Sequence, residues 1–201
     1  ILINDDRYAL AGVLAPKSAA DLAFTMHMLS HLKESGICAI VEFPGVLYRG
    51  GAEKQIREYL IQNNYVDTVI QLPANLFYGV GIATCIFVLK RGKKKDGNVL
   101  LIDASNEFVK NGNKNLLEQR NIDKIVNAYI NRKDEQYFCK LVSNEEIIAN
   151  ECNLTVQRYV EQEDTREKID IKAVNKDIEK VVEKVNGLRD KVNEFIEEKE
   201  G

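Results

Sequence analysis

His27 and His31 stand four residues apart, the spacing that puts two imidazoles on one helix face. Met28, Leu29 and Ser30 lie between them, so the glutamate of a helical two-histidine metal motif is absent. No third ligand is indicated, no metal is expected, and the two read as a half-exposed structural pair. Gly79, Val80 and Gly81 hint at a phosphate loop, but they lie between two apolar runs of strand length and no third glycine follows. A tight turn beside a ligand suits them better, because glycine lets backbone approach closely. Arg49, Gly50, Gly51, Ala52 and Glu53 come where a strand gives way to a helix. That is an anion-friendly arrangement, placed where α/β proteins bind ligands, and it is equally a plain N-terminal turn. Phe77 and Tyr78 set two aromatics beside the flexible backbone of Gly79. They can stack on a base, or Phe77 can simply plug the hairpin, which the residues alone favour. Arg91, Lys93, Lys94 and Lys95 form a basic turn, a solvated loop or a phosphate contact.

The elements that would position these residues follow from pattern. Ser18 is a candidate N-cap with Asp21 three residues on. Leu22, Phe24, Met26, Met28, Leu29 and Leu32 then make a helix apolar over a wide arc, stopped at Gly36. Residues 37–41 (ICAIV) form a continuous apolar run, predicting a central parallel strand. A second helix is predicted over 52–63, and strands over 66–72, 82–89 and 99–103. The link over 73–81 is too short for a crossover helix, so the strands it joins should be antiparallel. A helix over 116–129, a strand over 137–142 and a short helix from Ser143 complete the order. This predicts an α/β fold, the second half of a doubly wound sheet with an antiparallel edge hairpin. No strand, Gly-rich turn and helix unit precedes residue 37 to supply a first half.

Residues 161–169 read as a polar linker, dividing the chain into 1–160 and 161–201. Beyond it Ile171, Val174, Ile178, Val181, Val185, Leu188, Val192 and Phe195 alternate spacings of three and four, the a/d seam of a coiled-coil helix. The chain has 201 residues and a net charge of −3, with 13 acidic and 9 basic residues after position 160. Such a balance excludes a basic nucleic-acid magnet, so DNA contact would need local patches or a larger assembly. Disorder is excluded for most of the chain by its 45% hydrophobic content. No run approaches ~18 apolar residues, and no secretory leader is visible. Cys38, Cys85, Cys139 and Cys152 contain no C-x-x-C pair, which points to reduced thiols and a cytoplasmic protein.

These pieces together resemble the modification (methyltransferase) subunit of type I restriction–modification systems. The segments carrying the resemblance are LAPKSAADLAF (14–24), GVLYRGGAEKQIREYLI (45–61) and LPANLFYGVGIATCIFVLKR (72–91). It continues through LLIDAS (100–105), NIDKIVNAY (121–129) and NLTVQRYV (153–160). Two places depart from the family pattern: Glu42, Phe43, Pro44 and Gly45 replace a Leu-Pro-His/Asn-Gly turn, and Val80 and Ala83 stand where Thr and Pro are common.

The resemblance implies an adenine-N6 DNA methyltransferase that uses S-adenosylmethionine and extrudes its target base from the duplex. It implies a Rossmann-like sheet, a separate DNA-specificity subunit, a restriction subunit and double-stranded DNA as partners, and no membrane. Phe77, Tyr78, Gly79 and Gly81 would then wall the target-base pocket. Asp21 and Phe24 would lie near the cofactor, and Arg49, Gly50 and Gly51 would form an active-site loop. The catalytic Asn-Pro-Pro-aromatic tetrapeptide cannot be present, since Pro16, Pro44 and Pro73 are the only prolines. No catalytic residue is therefore assigned. The chain reads as the carboxy-terminal part of the subunit, inactive alone and not expected to hold the cofactor tightly. The alternative is a non-enzymatic module that docks a specificity subunit through its last helix. A complete small nucleotide-binding enzyme is disfavoured by the lack of a full phosphate motif.

Overall fold

Alternating faces organise the sheet. In the strand Asn98–Asp103, Val99 and Leu101 point to one apolar cluster, and Leu100 and Ile102 to another. The computed structural model describes residues 2–93, 97–163 and 170–200, so Lys94, Lys95 and residues 164–169 of the linker lie outside the described residues. The chain forms two compact units, Ile1–Gln162 and Glu163–Gly201.

The first unit runs α1 (Asp21–Ser30), β1 (Ile37–Glu42), α2 (Ala52–Gln62), β2 (Val66–Gln71), β3 (Cys85–Lys90) and β4 (Asn98–Asp103). It continues through β5 (Val109–Asn111), β6 (Lys114–Leu116), α3 (Gln119–Asn131), β7 (Cys139–Ser143) and α4 (Asn144–Ala149). Five strands make one mixed sheet in the order β1-β3-β2-β4-β7, and β5 pairs with β6 apart from it. β2 and β4 are parallel; β3 is antiparallel to both β1 and β2, and β7 is antiparallel to β4. Leu22, Met26 and Leu29 of α1 join Ile56, Leu60 and Ile61 of α2 over one face. Ile125 and Ala128 of α3 cover Leu100 and Ile102 on the other. Each such Leu, Ile or Met side chain contributes ~1.5–3 kcal/mol on burial.

Several expectations are corrected. The run 37–41 is not a central parallel strand: β1 is an edge, bonded only to β3, and Ile37 and Val41 are exposed. Its burial therefore alternates, as a strand covered on one face requires. Ser18 does not cap α1; the position before Asp21 is Ala20 and no side chain bonds there. The third strand begins at Cys85 instead of Ile82. Residues 116–118 precede the helix, because Leu116 belongs to the β5–β6 hairpin, and a capping box of Glu118 and Asn121 starts α3. The antiparallel relation of β2 and β3 is as the short link requires, but the hairpin is not at an edge of this sheet, since β1 pairs with β3 and β4 with β2.

One buried ion network ties the end of the sheet remote from the loops discussed below. Asp67, 2% exposed, meets Lys90 Nζ at 3.3 Å and Arg132 Nη1 at 3.2 Å. Arg132 sits in the left-handed conformation that ends α3 and also donates to the Asn98 carbonyl at 3.3 Å. It thus fastens α3 to β2 and β4. The second unit is α5 (Ile171–Glu200), a single continuous helix. Among the described residues no helix is long and apolar enough to cross a membrane.

α1 and β1 are joined by a buried polar contact, the Thr25 hydroxyl donating to Glu42 Oε1 at 2.7 Å. Burial pushes the Glu42 carboxyl above its ordinary range; the Thr25 bond works against that shift and the Asp21 charge adds to it. A carboxyl raised this way contributes stability that is full below its unfolded pKa and is lost as pH rises through the folded one. Urea midpoints of the chain should fall across that window as pH increases, and Glu42→Gln should flatten the fall. An equally steep fall in the variant would remove Glu42 as its cause.

Candidate functional site

β1, β2 and β4 run in the same direction, so their carboxyl ends share one edge of the sheet. The register places Glu42 opposite Cys85, Cys85 opposite Gln71, and Gln71 opposite Asp103. The last residue of each parallel strand is thus polar, and all three are buried. Each is satisfied locally. Glu42 accepts from Thr25, Gln71 Nε2 donates to the Thr84 carbonyl at 3.1 Å, and Asp103 accepts from the Ser105 amide at 3.0 Å and from the Gln162 side chain. This row is where an open α/β sheet presents ligands. Sequence reading missed it, although the signal was there: ICAIV, VDTVI and VLLI are each followed by one polar residue. Cys85 in the row is inert, its thiol pushed up to about 12 by burial.

Three loops leave this edge. After β1, Phe43, Pro44, Gly45, Tyr48 and Arg49 line a cleft of about 440 Å³ with Ile82 and Ala83. Phe43, Tyr48 and Ile82 are exposed there. The Arg49 guanidinium lies over Gly45, where a Cβ would collide with it, and pairs with the buried Glu53 at 3.5 Å. Gly51, with φ of 64°, turns the chain into α2, a conformation that calls for glycine. Arg49, Gly50 and Gly51 therefore sit together at the strand end, with both glycines exposed.

The loop over 72–84 carries the two aromatics. Phe77 is partly exposed at 39%, and Tyr78 is almost fully exposed at 94%. Tyr78 plugs nothing. Gly79 adopts a φ of 74°, and the Val80 amide closes a turn on the Phe77 carbonyl at 3.2 Å. At the start of α1, Phe24 is 66% exposed, and Asp21 is half-buried and near enough to Glu42 for its charge to act there. His27 stacks on Tyr8 with centroids 5.3 Å apart and lies against His31 at 4.5 Å. Among the described residues no group of three or more His, Cys, Asp or Glu is placed to hold a metal.

Arg57 positions the cleft, and sequence reading assigned it no part. It is 1% exposed, and its guanidinium donates to the carbonyls of Val46 at 2.9 Å, Arg49 at 2.6 Å and Cys152 at 3.0 Å. One side chain of α2 thus fixes both ends of the 46–49 loop and binds it to the segment after α4.

Comparison with known proteins gives consistent results. Residues 1–168 match the N-6 DNA methylase family. The chain is 46% identical over 197 residues to the type I restriction enzyme MpnII methylase subunit of Mycoplasma pneumoniae, covering 98% of this chain and 36% of that protein. It is 34% identical over 191 residues to the MjaVII methylase subunit of Methanocaldococcus jannaschii, covering 92% and 33%. The crystal structure of a type I restriction-modification methyltransferase subunit from Streptococcus thermophilus matches with a TM-score of 0.76 at 46% identity, over 80% of this chain and 34% of that one. The chain spans about a third of the length of the curated relatives it matches.

Replacing Arg57 by methionine keeps the volume and leaves the buried carbonyls of Val46 and Cys152, and the part-buried one of Arg49, without this donor. At ~1–3 kcal/mol for each buried unsatisfied group, stability should fall by at least about 2 kcal/mol in urea unfolding. Arg57→Lys should recover only part of it, because an ammonium cannot span the three acceptors in one plane. A methionine variant as stable as the parent would show that the loop holds itself.

Proposed function

The chain belongs to the N-6 DNA methylase family, among the methylase subunits of type I restriction enzymes, and on that premise we propose that it is the carboxy-terminal part of an adenine-N6 DNA methyltransferase. The observation that carries this reading is Tyr78, a large aromatic left bare beside Phe77 at the carboxyl edge of the sheet. A duplex adenine is out of reach of chemistry until it is extruded, and an extruded base needs an aromatic face to stack on. The 72–84 loop offers that face. Gly79 and Gly81 keep the adjoining backbone low, so a base can approach it.

S-adenosylmethionine, when bound, supplies the methyl on its sulfonium sulfur. Phe24 offers an uncovered ring for the adenosine end, and the Asp21 carboxylate an acceptor for its hydroxyls. This ring face and this acceptor fit such a group. Arg49, held by Glu53 over Gly45, borders the cleft from the other side. The groups that hold the target amine belong to the tetrapeptide absent from this sequence. The free edge of β1, with Ile37 and Val41 uncovered, is where the remaining strands of a Rossmann-like sheet would add. The chain alone is inactive in this reading.

A second role rests on α5. Every residue of its a/d seam is exposed, and Val182 and Ile196 at e positions widen the stripe. A stripe of that width suits a bundle of helices better than a two-stranded coil. We assign it to assembly with the DNA-specificity subunit, which brings the restriction subunit and double-stranded DNA into one complex in the cytoplasm.

Two experiments test these roles. In the full-length enzyme, Tyr78→Ala or Phe77→Ala should lower methylation about 5- to 150-fold, the equivalent of ~1–3 kcal/mol of stacking, and affect DNA binding less. The isolated chain should transfer no methyl from labelled cofactor. Unchanged rates in both variants would make the aromatics structural. For α5, Val181→Glu or Leu188→Glu should abolish assembly with the specificity subunit while leaving the melting of residues 1–160 nearly unchanged. If assembly survives and that melting drops, α5 belongs to the core of the first unit.

A further inference from the structure

The β5–β6 hairpin carries no part of the fold's core, yet it is built against the aromatic loop. Its eight residues read Val-Lys-Asn-Gly-Asn-Lys-Asn-Leu over 109–116, with two lysines, three asparagines and no acid, in a chain whose net charge is −3. Gly112, with φ of 61°, opens the two-residue turn that Asn111 and Lys114 flank. Three bonds fix the hairpin to the 72–84 loop. The Asn115 side chain donates to the Ala74 carbonyl at 2.7 Å, the Asn115 amide to the Asn75 carbonyl at 3.0 Å, and Lys114 Nζ to the Phe77 carbonyl at 3.1 Å. An ammonium has three donors, and Phe77 takes one. Lys110, across from Asn115 and so on the opposite face of the ribbon from Lys114, is exposed, and its ammonium pairs with no described residue.

We propose that this hairpin is a DNA-phosphate clamp: Lys110 and Lys114 hold the strand that carries the extruded base while Asn115 and Lys114 hold the loop on which the base stacks. The proposal rests on the reading of Phe77 and Tyr78 as the base-binding loop. Its physical basis is the position of the charge. Phosphate contacts fix the register of a protein on the duplex and carry no sequence information. A base swung out of the stack keeps its two flanking phosphates, and cations placed beside the stacking surface hold them there. The asparagines suit the same surface, since their amides donate to phosphate oxygens without adding charge.

The test uses the full-length methylase subunit assembled with its specificity subunit. DNA affinity is measured against salt, and flipping is read from 2-aminopurine at the target position. For Lys110→Gln the slope of log affinity against log salt should shrink by about 0.9, equally on cognate and non-cognate DNA. Between about 50 and about 200 mM salt, that is an affinity loss smaller by about 3.5-fold. Lys110→Arg should restore the slope. Lys110→Gln with Lys114→Gln should shrink it about twice as much and also lower the flipping signal. An unchanged slope in Lys110→Gln overturns the clamp, and so does a double variant that loses flipping with its slope intact, which would leave the hairpin only a prop. Failure of the base-loop reading is seen separately, as a normal flipping signal in Tyr78→Ala.

Discussion

Arg57 has five N–H donors in one plane and no solvent to receive them. It is only 1% exposed, so its charge is tolerable only where backbone oxygen converges on it. The carbonyls of Val46, Arg49 and Cys152 do so from two stretches of chain more than a hundred positions apart. The consequences spread outward. The 46–49 loop cannot relax away from α2, and the short 3-10 turn Pro44–Leu47 is held against the end of β1. The Leu154 amide, bonded to the Leu47 carbonyl at 2.9 Å, brings Leu154 and Val156 into the core. Burial draws the guanidinium's pKa down, with the Glu53 charge opposing that draw. Glu53 in turn holds Arg49 at the cleft. A helix-buried cation thus fixes the position of a surface one.

Most of the sheet was legible because its strands are apolar runs bounded by glycine and proline. The helix positions followed from period, and the antiparallel turn from loop length. What failed has identifiable causes. Residues 37–41 are apolar without break, and that pattern says "covered on both faces" whether or not a helix lies over the second face. The β5–β6 hairpin has strands of three residues and a polar sequence, so no alternation marks it. Its only signal is Gly-Asn at 112–113, a turn pair set between runs too short to count as strands. Ser18 failed as a cap because the chain enters α1 two residues later, with Asp21 already in the first turn.

The candidate site was legible in its parts and not in its frame. Arg49, the glycine pair and the aromatics stand out by type. The row of Glu42, Gln71 and Asp103 does not, since each is one polar residue closing an apolar run. Only the register shows that the three fall on a line. That line separates two regimes. Behind it lie clusters with exposures near zero; ahead of it lie Phe43, Tyr48, Phe77 and Tyr78, all exposed. Buried polar ends satisfied by local bonds form a rigid margin, and loops rooted in that margin can hold large side chains in water without collapsing onto the core.

Two surfaces are left unpartnered among the described residues, and they ask for different things. The outer edge of β1 presents backbone donors and acceptors in a row, and such an edge is satisfied by another strand in register. Its register is set by alternation, because a slip of one residue would turn Cys38 outward and Ile37 inward. The seam of α5 presents no backbone groups, since a helix pairs its own. It offers methyl groups of Ile, Val and Leu at a period near 3.5, and these are satisfied by other helices. Gly187, mid-helix, costs up to about 1 kcal/mol against alanine, so α5 leans on packing rather than on propensity. A strand edge accepts its complement in one geometry, as the interior of a domain must. A helical stripe accepts partners through side-chain packing alone, as an interface between subunits can. In the proposed reading, the first surface is therefore where further strands of the sheet add, and the second is where a partner subunit docks.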